Sequence, residues 1–346
     1  AARLSRAAAG GAFFPRRRRA FPVPPQEALF SRAGGKVRQR EEKKELQKNM
    51  QNFVISSDST CDLYADYVRA QGIRIVCLSY IMEQNGALTE APDDFQSYGE
   101  YVDFYRKLRE GGFSRTSMLN YEKHFEHFRA IVEEGGKEII HFSLSSGLSP
   151  TANVAKDAAR GIEEKYPGTK VLVVDSLAAT IGSGALVKEA VRLRGAGKSL
   201  QETFDAVSAL PLHIQYCIIA NDLFYLKKGG RVSAVAAAAG SLLQVKPVLS
   251  FTREGKLTVV EKCRGMKKAF AYTLAKTEKL PPVEEDRMMW IVHTDAEDQA
   301  NELADMVEAR WNFRPDVTIM GPVIGSHVGP GSVSMIWKTK EERGDG

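Results

Sequence analysis

The stretch IIHFSLSSGLSPTANVAKDAARGIEEKYPGTKVLVVDS, residues 139–176, decides the fold. It opens with an apolar run, passes through four serines within seven residues, and then takes the composition of a helix. A second apolar run, rich in valine, follows Gly168. Near-continuous apolar runs of this kind are typical of parallel strands covered on both faces. The stretch therefore predicts two strands of one parallel sheet with a helix between them.

The same alternation extends toward the N-terminus. FVISSDS (53–59) and IRIVCLSYIM (73–82) are predicted strands, and amphipathic stretches that end at glycine separate the strands. Glycine is the expected residue at a helix stop. Alternating strands and helices predict an N-terminal α/β domain over residues 53–212, with a Rossmann-like parallel sheet.

The second half of the chain mixes strands and helices less regularly. KPVLSFTREGKLTVVEK (246–262) is typical of a hairpin with its turn at Arg253-Glu254-Gly255, and DLFYLKK (222–228) is predicted as a short helix. Further predicted strands are IQYCIIA (214–220), RMMWIVHTD (287–295), DVTIMGPVIG (316–325) and SVSMIWK (332–338). We predict a second α/β domain with a mixed sheet over residues 213–340, which makes the fold class a two-domain α/β protein.

The net charge of +5 is unevenly distributed. Residues 1–50 hold 13 of the 48 Lys/Arg and 4 of the 43 Asp/Glu, which leaves 35 basic and 39 acidic residues for the remainder. The body of the chain is therefore slightly acidic, and no nucleic-acid partner is predicted.

Residues 1–50 form a basic segment in which Glu27 is the only acidic residue of the first forty. Arginine-rich, acid-poor N-termini resemble organelle transit peptides, and a disordered basic arm is the alternative. The first interpretation places the protein in a plastid or mitochondrion, and the second leaves it in the cytoplasm.

No metal site is predicted. The four cysteines lie far apart without a CxxC spacing, which indicates free thiols. His124 and His127 share one face of a charged helix but lack a third convincing ligand, so a solvated or partly packed face is the better interpretation.

Polar clusters follow the predicted strands, where open α/β sheets place their ligands. The serine-rich loop contains Ser145 and Ser146 at the end of its strand, and Ser149 is a predicted helix N-cap with Pro150 at the first helical position. Thr116 and Ser117 are predicted to lie in a second loop. Hydroxyls and backbone N–H groups near a helix start hold an anion without a full positive charge.

Three other interpretations of these clusters compete with an anion site. Ser146, His327 and Asp58 form a nominal hydrolase triad, but the serine motif does not match a nucleophile elbow. Neither of the two glycine-rich phosphate-binding motifs is present, which disfavours nucleotide binding. KKGGR (227–231) is either a glycine-bounded helix end or a basic contact of Arg231 with an anion or acidic partner.

The order of the clusters resembles the DegV family of fatty-acid-binding proteins. The matching motifs, spread from Phe53 to about Lys338, are DSTCDL (58–63), TS (116–117), SSGLS (145–149), VVDS (173–176), LKKGGR (226–231), KPVL (246–249), R-x-x-KKA (264–269) and GPVIGSHVGPG (321–331). The sequence departs from the family in two motifs: Met118-Leu119 stand in place of Gln-Pro, and Pro150 stands in place of glycine.

The resemblance implies a two-domain α/β fold that buries one long-chain fatty acid and needs no other cofactor. It implies that Thr116 with Ser117, and Ser145 or Ser146, bind the carboxylate. Arg264 and His327 match positions around the head group and the partner contact, where Arg231 is a further candidate. The protein is then a carrier and not an enzyme, and a separate kinase resembling dihydroxyacetone kinase makes the acyl phosphate. Peripheral contact with a membrane is compatible with this role.

Apolar residues that could line a tunnel are Leu78, Ile81, Met82, Leu119, Leu242, Leu243 and Val245, although ordinary core packing explains most of them equally well. The alternatives to a carrier are a serine esterase that uses Ser146 with His327, and a module that binds a small anion or phosphosugar without a tunnel.

Overall fold

The computed structural model describes residues 53–221, 223–232, 245–286 and 288–345. The predicted basic segment 1–50 and the tunnel candidates Leu242 and Leu243 lie outside the described residues. Within the described part of the chain, no helix combines the length and the apolar character that a membrane span requires.

The first half of the described chain alternates strands and helices. Its strands are β1 (Val54–Asp58), β2 (Arg74–Val76), β3 (Ser79–Gln84), β4 (Ala87–Pro92), β5 (Phe113–Ser117), β6 (Glu138–Ser143) and β7 (Lys170–Asp175). Its helices are α1 (Ala65–Gln71), α2 (Tyr98–Arg109), α3 (Tyr121–Glu133), α4 (Thr151–Lys165), α5 (Ile181–Gly195) and α6 (Leu200–Ser208).

The second half begins after a short 3-10 turn at Pro211–His213. Its elements are β8 (Ile214–Ile219), α7 (Phe224–Lys228), β9 (Val245–Phe251), β10 (Leu257–Arg264), α8 (Met266–Lys279), β11 (Met289–His293), α9 (Glu297–Trp311), β12 (Asp316–Ile319), α10 (Pro322–Val328) and β13 (Val333–Lys338).

A four-stranded parallel sheet has the order β2-β1-β6-β7. Helices α3 and α4 cover one face, where Val54 and Ile139 pack with Phe128. The opposite face, which contains Ile55 and Phe142, belongs to the largest hydrophobic core. Burial on both faces explains the continuous apolar runs of β1, β6 and β7, and the predicted parallel sheet is confirmed.

IRIVCLSYIM, which was predicted as one strand, forms parts of two sheets. β2 pairs with β1 only as far as Val76, and the backbone N–H of Leu78 then donates to the hydroxyl of Ser59 at 3.1 Å. The chain leaves the parallel sheet at this point. β3 continues in a three-stranded antiparallel sheet of order β4-β3-β5, in which Tyr80 lies opposite Thr116.

The third sheet has six strands in the order β10-β9-β8-β13-β11-β12, and only β11 and β12 are parallel. The predicted hairpin is confirmed, since Phe251 pairs with Leu257 across its turn. Side chains alternate along β8, so Tyr216 and Ile218 face the largest core while Cys217 and Ile219 face a second core under α8 and α9. The predicted fold class, an α/β protein with a parallel and a mixed sheet, is confirmed.

DVTIMGPVIG, predicted as one strand, ends its strand at Ile319 and continues into helix α10. Pro322 stands at the first helical position after the N-cap Gly321, where its missing N–H removes no helical hydrogen bond. His327 therefore lies on a helix and not in a glycine-rich turn. The predicted domain boundary at residues 212–213 coincides with the change from α6 to the third sheet, and it stays a prediction.

Candidate ligand-binding site

A cavity of about 180 Å³ lies between the exposed end of β5, the serine-rich loop and the inner face of the six-stranded sheet. This volume is more than ten times the 10–15 Å³ or so that one water molecule needs. Its lining is mostly apolar, and the third sheet contributes Tyr216, Ile218, Phe251 and Ile336. The shape and the lining suit an apolar ligand with a polar end.

Thr116 and His327 form the polar contact at one end of the cavity. Both residues line it, and Thr116 Oγ1 lies 2.8 Å from His327 Nε2. Thr116 lies on β5, so it belongs to a strand and not to the loop predicted from the sequence. The pairing of β5 with β3 fixes the direction of its side chain, and α10 supplies the imidazole. Ser117 also lines the cavity.

His327 is neutral at neutral pH. Burial, and then the nearby charge of Arg231, lowers the pKa of His327 to about 4. The ring atom Nδ1 has no hydrogen-bond partner within the described structure. Gly229 lies against this ring so closely that a Cβ at residue 229 would collide with Nδ1. The glycine of the KKGGR motif therefore makes room for the imidazole.

Arg231 is the only charged side chain among the described residues that line the cavity. Its guanidinium donates to the backbone carbonyl of Gly229, which holds it beside the end of α7. KKGGR was interpreted either as a glycine-bounded helix end or as a basic contact for an anion. The geometry is compatible with both, because Arg231 bonds to a carbonyl at the end of α7 and also lines the cavity. An anionic head group at this end would meet one positive charge.

The serine-rich loop does not place all of its hydroxyls in the cavity. Ser145 is buried and donates its hydroxyl to the carbonyl of Gly255 at 2.8 Å. Ser146 is exposed, and its backbone N–H donates to Asp175. Neither residue is among those that line the cavity, whereas Ser149 is. Ser145 and Ser146 therefore lie outside the cavity lining, because the hairpin turn takes up the Ser145 hydroxyl and Ser146 is exposed on the outside of the loop.

Ser149 was predicted as the N-cap of the following helix, but α4 begins at Thr151 with Pro150 as its N-cap. The hydroxyls of Ser149 and Thr151 lie 2.8 Å apart. This contact holds Ser149 Oγ at the cavity wall. The sequence of the loop does not show that Ser149, and not Ser145 or Ser146, lines the cavity.

Asp58, at the end of β1, fixes the position of the loop. Its carboxylate accepts hydrogen bonds from the backbone and hydroxyl of Thr60, the hydroxyl of Ser143 and the backbone N–H of Leu144. Burial raises the pKa of Asp58, and these four donors act in the opposite direction. The aspartate of the DSTCDL motif is a structural anchor between two neighbouring strands.

A hydrolase triad is not assembled in this arrangement. His327 bonds through Nε2 to Thr116, and its Nδ1, which would have to donate to a carboxylate, has no partner. The Asp58 carboxylate is surrounded by donors of its own loop. Ser146 is exposed outside the cavity lining.

Of the remaining predicted residues that the structure describes, Leu78 alone lines the cavity. Arg264 is exposed at the end of the edge strand β10, opposite Val245. Leu78 lines the cavity, as predicted for a tunnel residue, while Met82, Leu119, Ile81 and Val245 do not. Met82 and Leu119 belong to separate small cores.

The two helical histidines lie on a packed face of their helix, where His124 is buried and His127 is partly buried, so the partly packed alternative is the one that the structure shows. Ser56 Oγ lies 2.7 Å from His127 Nε2 and 2.9 Å from His141 Nδ1, and His124 is fully buried beside them. Burial lowers the pKa of His124 to about 4 and that of His127 to about 3. Among the residues that the structure describes, no group of three or more His, Cys, Asp or Glu side chains fits a metal ion.

Comparisons with known proteins identify the family and agree with the fold. Residues 52–340 match the family described as "Uncharacterised protein, DegV family". A DegV domain-containing protein of Clostridium perfringens is 34% identical over 296 residues, which cover 84% of this chain and 100% of that protein. A second DegV domain-containing protein, from Streptococcus pyogenes, is 34% identical over 289 residues, which cover 82% and 96% of the two chains.

Solved structures show the same architecture. A DegV lipid-binding protein from Thermotoga maritima has a TM-score of 0.71 at 25% identity, covering 84% of this chain and 100% of that one. A fatty-acid-binding DegV family protein from Thermus thermophilus has a TM-score of 0.69 at 27% identity, covering 83% and 99% of the two chains. The resemblance seen in the sequence is confirmed, and the chain belongs to the DegV family.

Proposed function

We propose that this protein is a carrier that holds one long-chain fatty acid, with the hydrocarbon tail in the cavity and the carboxylate beside Thr116 and His327. The observation that carries the proposal is an apolar cavity whose lining includes the hydroxyl of Thr116, the neutral imidazole of His327 and the guanidinium of Arg231. The fatty-acid-binding and lipid-binding DegV proteins of Thermus thermophilus and Thermotoga maritima support it.

The tail supplies most of the affinity. Each buried CH₂ group contributes roughly 0.8 kcal/mol, so a sixteen-carbon chain gains about 12 kcal/mol before the cost of ordering it. A hydrogen bond to the ionised carboxylate adds about 1.5–3 kcal/mol. The polar contacts therefore decide mainly which end of the ligand lies at Thr116.

The carboxylate contacts differ from those that the family resemblance implied. Thr116 and Ser117 keep their proposed roles, and Ser149 replaces Ser145 and Ser146, because Ser149 is the serine of the loop that lines the cavity. Arg231 neutralises the negative charge. His327, being neutral, adds no second charge, and its contact with Thr116 Oγ1 orients that hydroxyl for the carboxylate.

The bound acid then passes to a separate kinase, in which a carboxylate oxygen attacks the terminal phosphorus of ATP to give an acyl phosphate and ADP. The carboxylate end is accessible for such a step, since Met118, in the cavity lining next to Ser117, is 41% exposed. Exposed Arg264 is a candidate contact for the kinase, and the exposed rim would also meet a membrane surface during loading.

The test is extraction of lipids from the purified, denatured protein followed by mass spectrometry, together with calorimetric titration of hexadecanoic acid. We expect a C14–C18 acid at close to one equivalent and a single binding site. A protein that contains no acyl ligand and takes up none of the C14–C18 acids would contradict the carrier role. Incubating the loaded protein with a fatty acid kinase and ATP, and trapping acyl phosphate as hydroxamate, tests the transfer separately.

A further inference from the structure

One row of side chains crosses the inner face of the six-stranded sheet and forms a wall of the cavity. Tyr216 on β8 lies opposite Ile336 on β13, and its ring contacts that of Phe251 on β9, with 4.7 Å between the ring centroids. Phe251 in turn pairs with Leu257 on β10. All of these residues line the cavity, and Tyr216, Phe251 and Ile336 are at most 2% exposed. We call them the Tyr216 row.

The proposed head-group contacts lie toward the other end of the strands. Arg231 follows the carboxyl end of β8 by way of α7, and His327 on α10 precedes the start of β13. Because β8 and β13 are antiparallel neighbours, these two strand ends lie side by side. Tyr216 lies three residues, about 10 Å, before the end of β8 at Ile219. A hydrocarbon tail that begins beside His327 and follows the strands therefore reaches the Tyr216 row.

Arg343 fills the space behind this row. Its guanidinium lies 5.7 Å from the ring centroid of Tyr216 and 5.7 Å from that of Phe251, and the residue is 2% exposed. Its N–H groups donate at 2.6–3.0 Å to three backbone carbonyls, those of Leu177, Pro211 and Thr252. Hydrogen bonds from a charged donor are stronger than neutral ones, so the guanidinium is a firmly held support for the two rings.

Gly182 makes room for the phenol of Tyr216. A Cβ at residue 182 would lie 2.3 Å from the phenol oxygen. Gly182 belongs to the first turn of α5, where alanine would otherwise be the better helix former. The ring is therefore enclosed by α5, Phe251 and Arg343, and the cavity lies on the side that they leave.

We propose that the Tyr216 row, supported from behind by Arg343, closes the far end of the cavity and sets the length of the acyl chain that the protein binds. This inference rests on the proposed fatty-acid carrier function and specifies its ligand. Arg343 is a positioning residue, because it acts through Tyr216 and Phe251 and does not itself line the cavity. It also lies beyond residues 52–340, the part of the chain that matches the family.

The experiment titrates the full chain, stripped of lipid, with saturated straight-chain acids from octanoic to icosanoic acid. As long as the tail gains apolar wall to bury against, each added CH₂ group should lower the Kd about fourfold. Once the methyl end reaches the Tyr216 row, further CH₂ groups should no longer lower the Kd. The chain length at this break is the quantity to be compared among variants.

Two substitutions should move the break in opposite directions. Tyr216→Ala removes the phenol ring from the end of the cavity, so the break should move to a longer acid, with about fourfold per added CH₂ up to the new break. Gly182→Ala places a methyl group against the phenol, which displaces the ring toward the cavity, so the break should move to a shorter acid.

Arg343→Met tests the support behind the row. The unbranched methionine is shorter and makes none of the hydrogen bonds to the three carbonyls, so the rings of Tyr216 and Phe251 are no longer held in place. We expect the break to move to a longer acid, as in Tyr216→Ala. A general loss of stability would not by itself change the chain length at the break.

Met335→Ala is the matched control. Met335 is fully buried on β13 next to Ile336, but its side chain belongs to the second core on the other face of the sheet. The variant should lose stability, as buried large-to-small substitutions do, while its break stays at the wild-type chain length. Thermal unfolding of every variant shows which of them fold, and the breaks are compared among the folded ones.

The outcomes separate the two proposals. If no acid of the series binds to the wild-type protein, the carrier role fails. If acids bind but the break is the same in wild type, Tyr216→Ala and Gly182→Ala, the carrier role stands and the proposed closed end is wrong. A break that moves in Tyr216→Ala but not in folded Arg343→Met would overturn the positioning role of Arg343.

Discussion

The end of β5 and the loop after β6 both present hydroxyls near the cavity, but they use them differently. Thr116 on β5 is held by strand pairing with Tyr80, and its hydroxyl contacts His327 Nε2 in the cavity lining. Ser145 in the loop donates to a carbonyl of the β9–β10 turn, 110 residues away in the chain. A strand fixes its side chains by register, whereas a loop must satisfy its own backbone first.

The hydroxyls of one motif can therefore have two different roles, fixing the loop and lining the cavity. Ser143 at the end of β6 and Ser145 in the loop hold the loop in place, and Ser149 lines the cavity. Variants at each position therefore separate structural from ligand-binding hydroxyls. The following predictions run from the largest expected effect to the smallest.

Gly255→Ala should have the largest effect, on stability. Gly255 has a φ of 72°, and an added Cβ would collide with Ser145 Oγ. Backbone strain and loss of the Ser145 hydrogen bond together should lower the free energy of unfolding by roughly 2–3 kcal/mol, measured by urea denaturation. Gly86→Ala is the control, because Gly86 has a φ of 78° but open space around it. An equal loss in the two variants would show that the loop contact contributes nothing.

Thr116→Val should weaken binding of hexadecanoic acid about tenfold or more, because a hydrogen bond to an ionised carboxylate contributes about 1.5–3 kcal/mol. Calorimetric titration gives the Kd. Thr89→Val, on the exposed strand β4 of the same sheet, should leave the Kd unchanged. Wild-type affinity in Thr116→Val would contradict the proposed contact between Thr116 and the carboxylate.

Ser145→Ala should destabilise the protein without affecting the ligand. The buried carbonyl of Gly255 loses its donor, so the free energy of unfolding should fall by about 1–2 kcal/mol. The Kd for hexadecanoic acid should stay within about twofold. A tenfold loss of affinity with normal stability would reverse the roles that we assign to the two segments.

Ser149→Ala should weaken binding about threefold, less than the Thr116 variant, because Thr151 remains close enough to replace part of the contact. Titration under the same conditions gives the ratio of the two Kd values. An effect larger than that of Thr116→Val would make the loop the principal carboxylate contact.

Ser146→Ala should change neither property: stability should stay within about 0.5 kcal/mol, as is usual for surface substitutions. The residue is exposed, and it bonds to Asp175 through its backbone N–H, which the substitution leaves in place. Loss of binding in this variant would instead support the contact between Ser146 and the carboxylate that the family resemblance implied.

The fold was largely predictable because its buried strands have clear apolar runs. The exceptions are β4, whose residues Ala87–Pro92 are mostly exposed and lack such a run, and α10, whose glycines and proline are typical of a turn. IRIVCLSYIM was assigned to one strand because nothing local marks the hydrogen bond between Leu78 and Ser59.

The site was predictable only in part. Thr116, Ser117, Arg231 and His327 were identified, and all four line the cavity. Ser145 was assigned to the carboxylate and Ser149 to the helix N-cap, because the partner that takes up the Ser145 hydroxyl lies on the distant hairpin. The third-sheet residues of the lining, such as Ile218, Phe251 and Ile336, were missed, since alternation along a strand indicates which residues share a face but not what that face encloses.

The contact between Gly229 and His327 has a mechanical consequence. The glycine brings the end of α7 against the imidazole, and Arg231 follows two residues later. A displacement of α7 would therefore move the imidazole and the guanidinium together, so the two basic side chains in the cavity lining would shift as one unit.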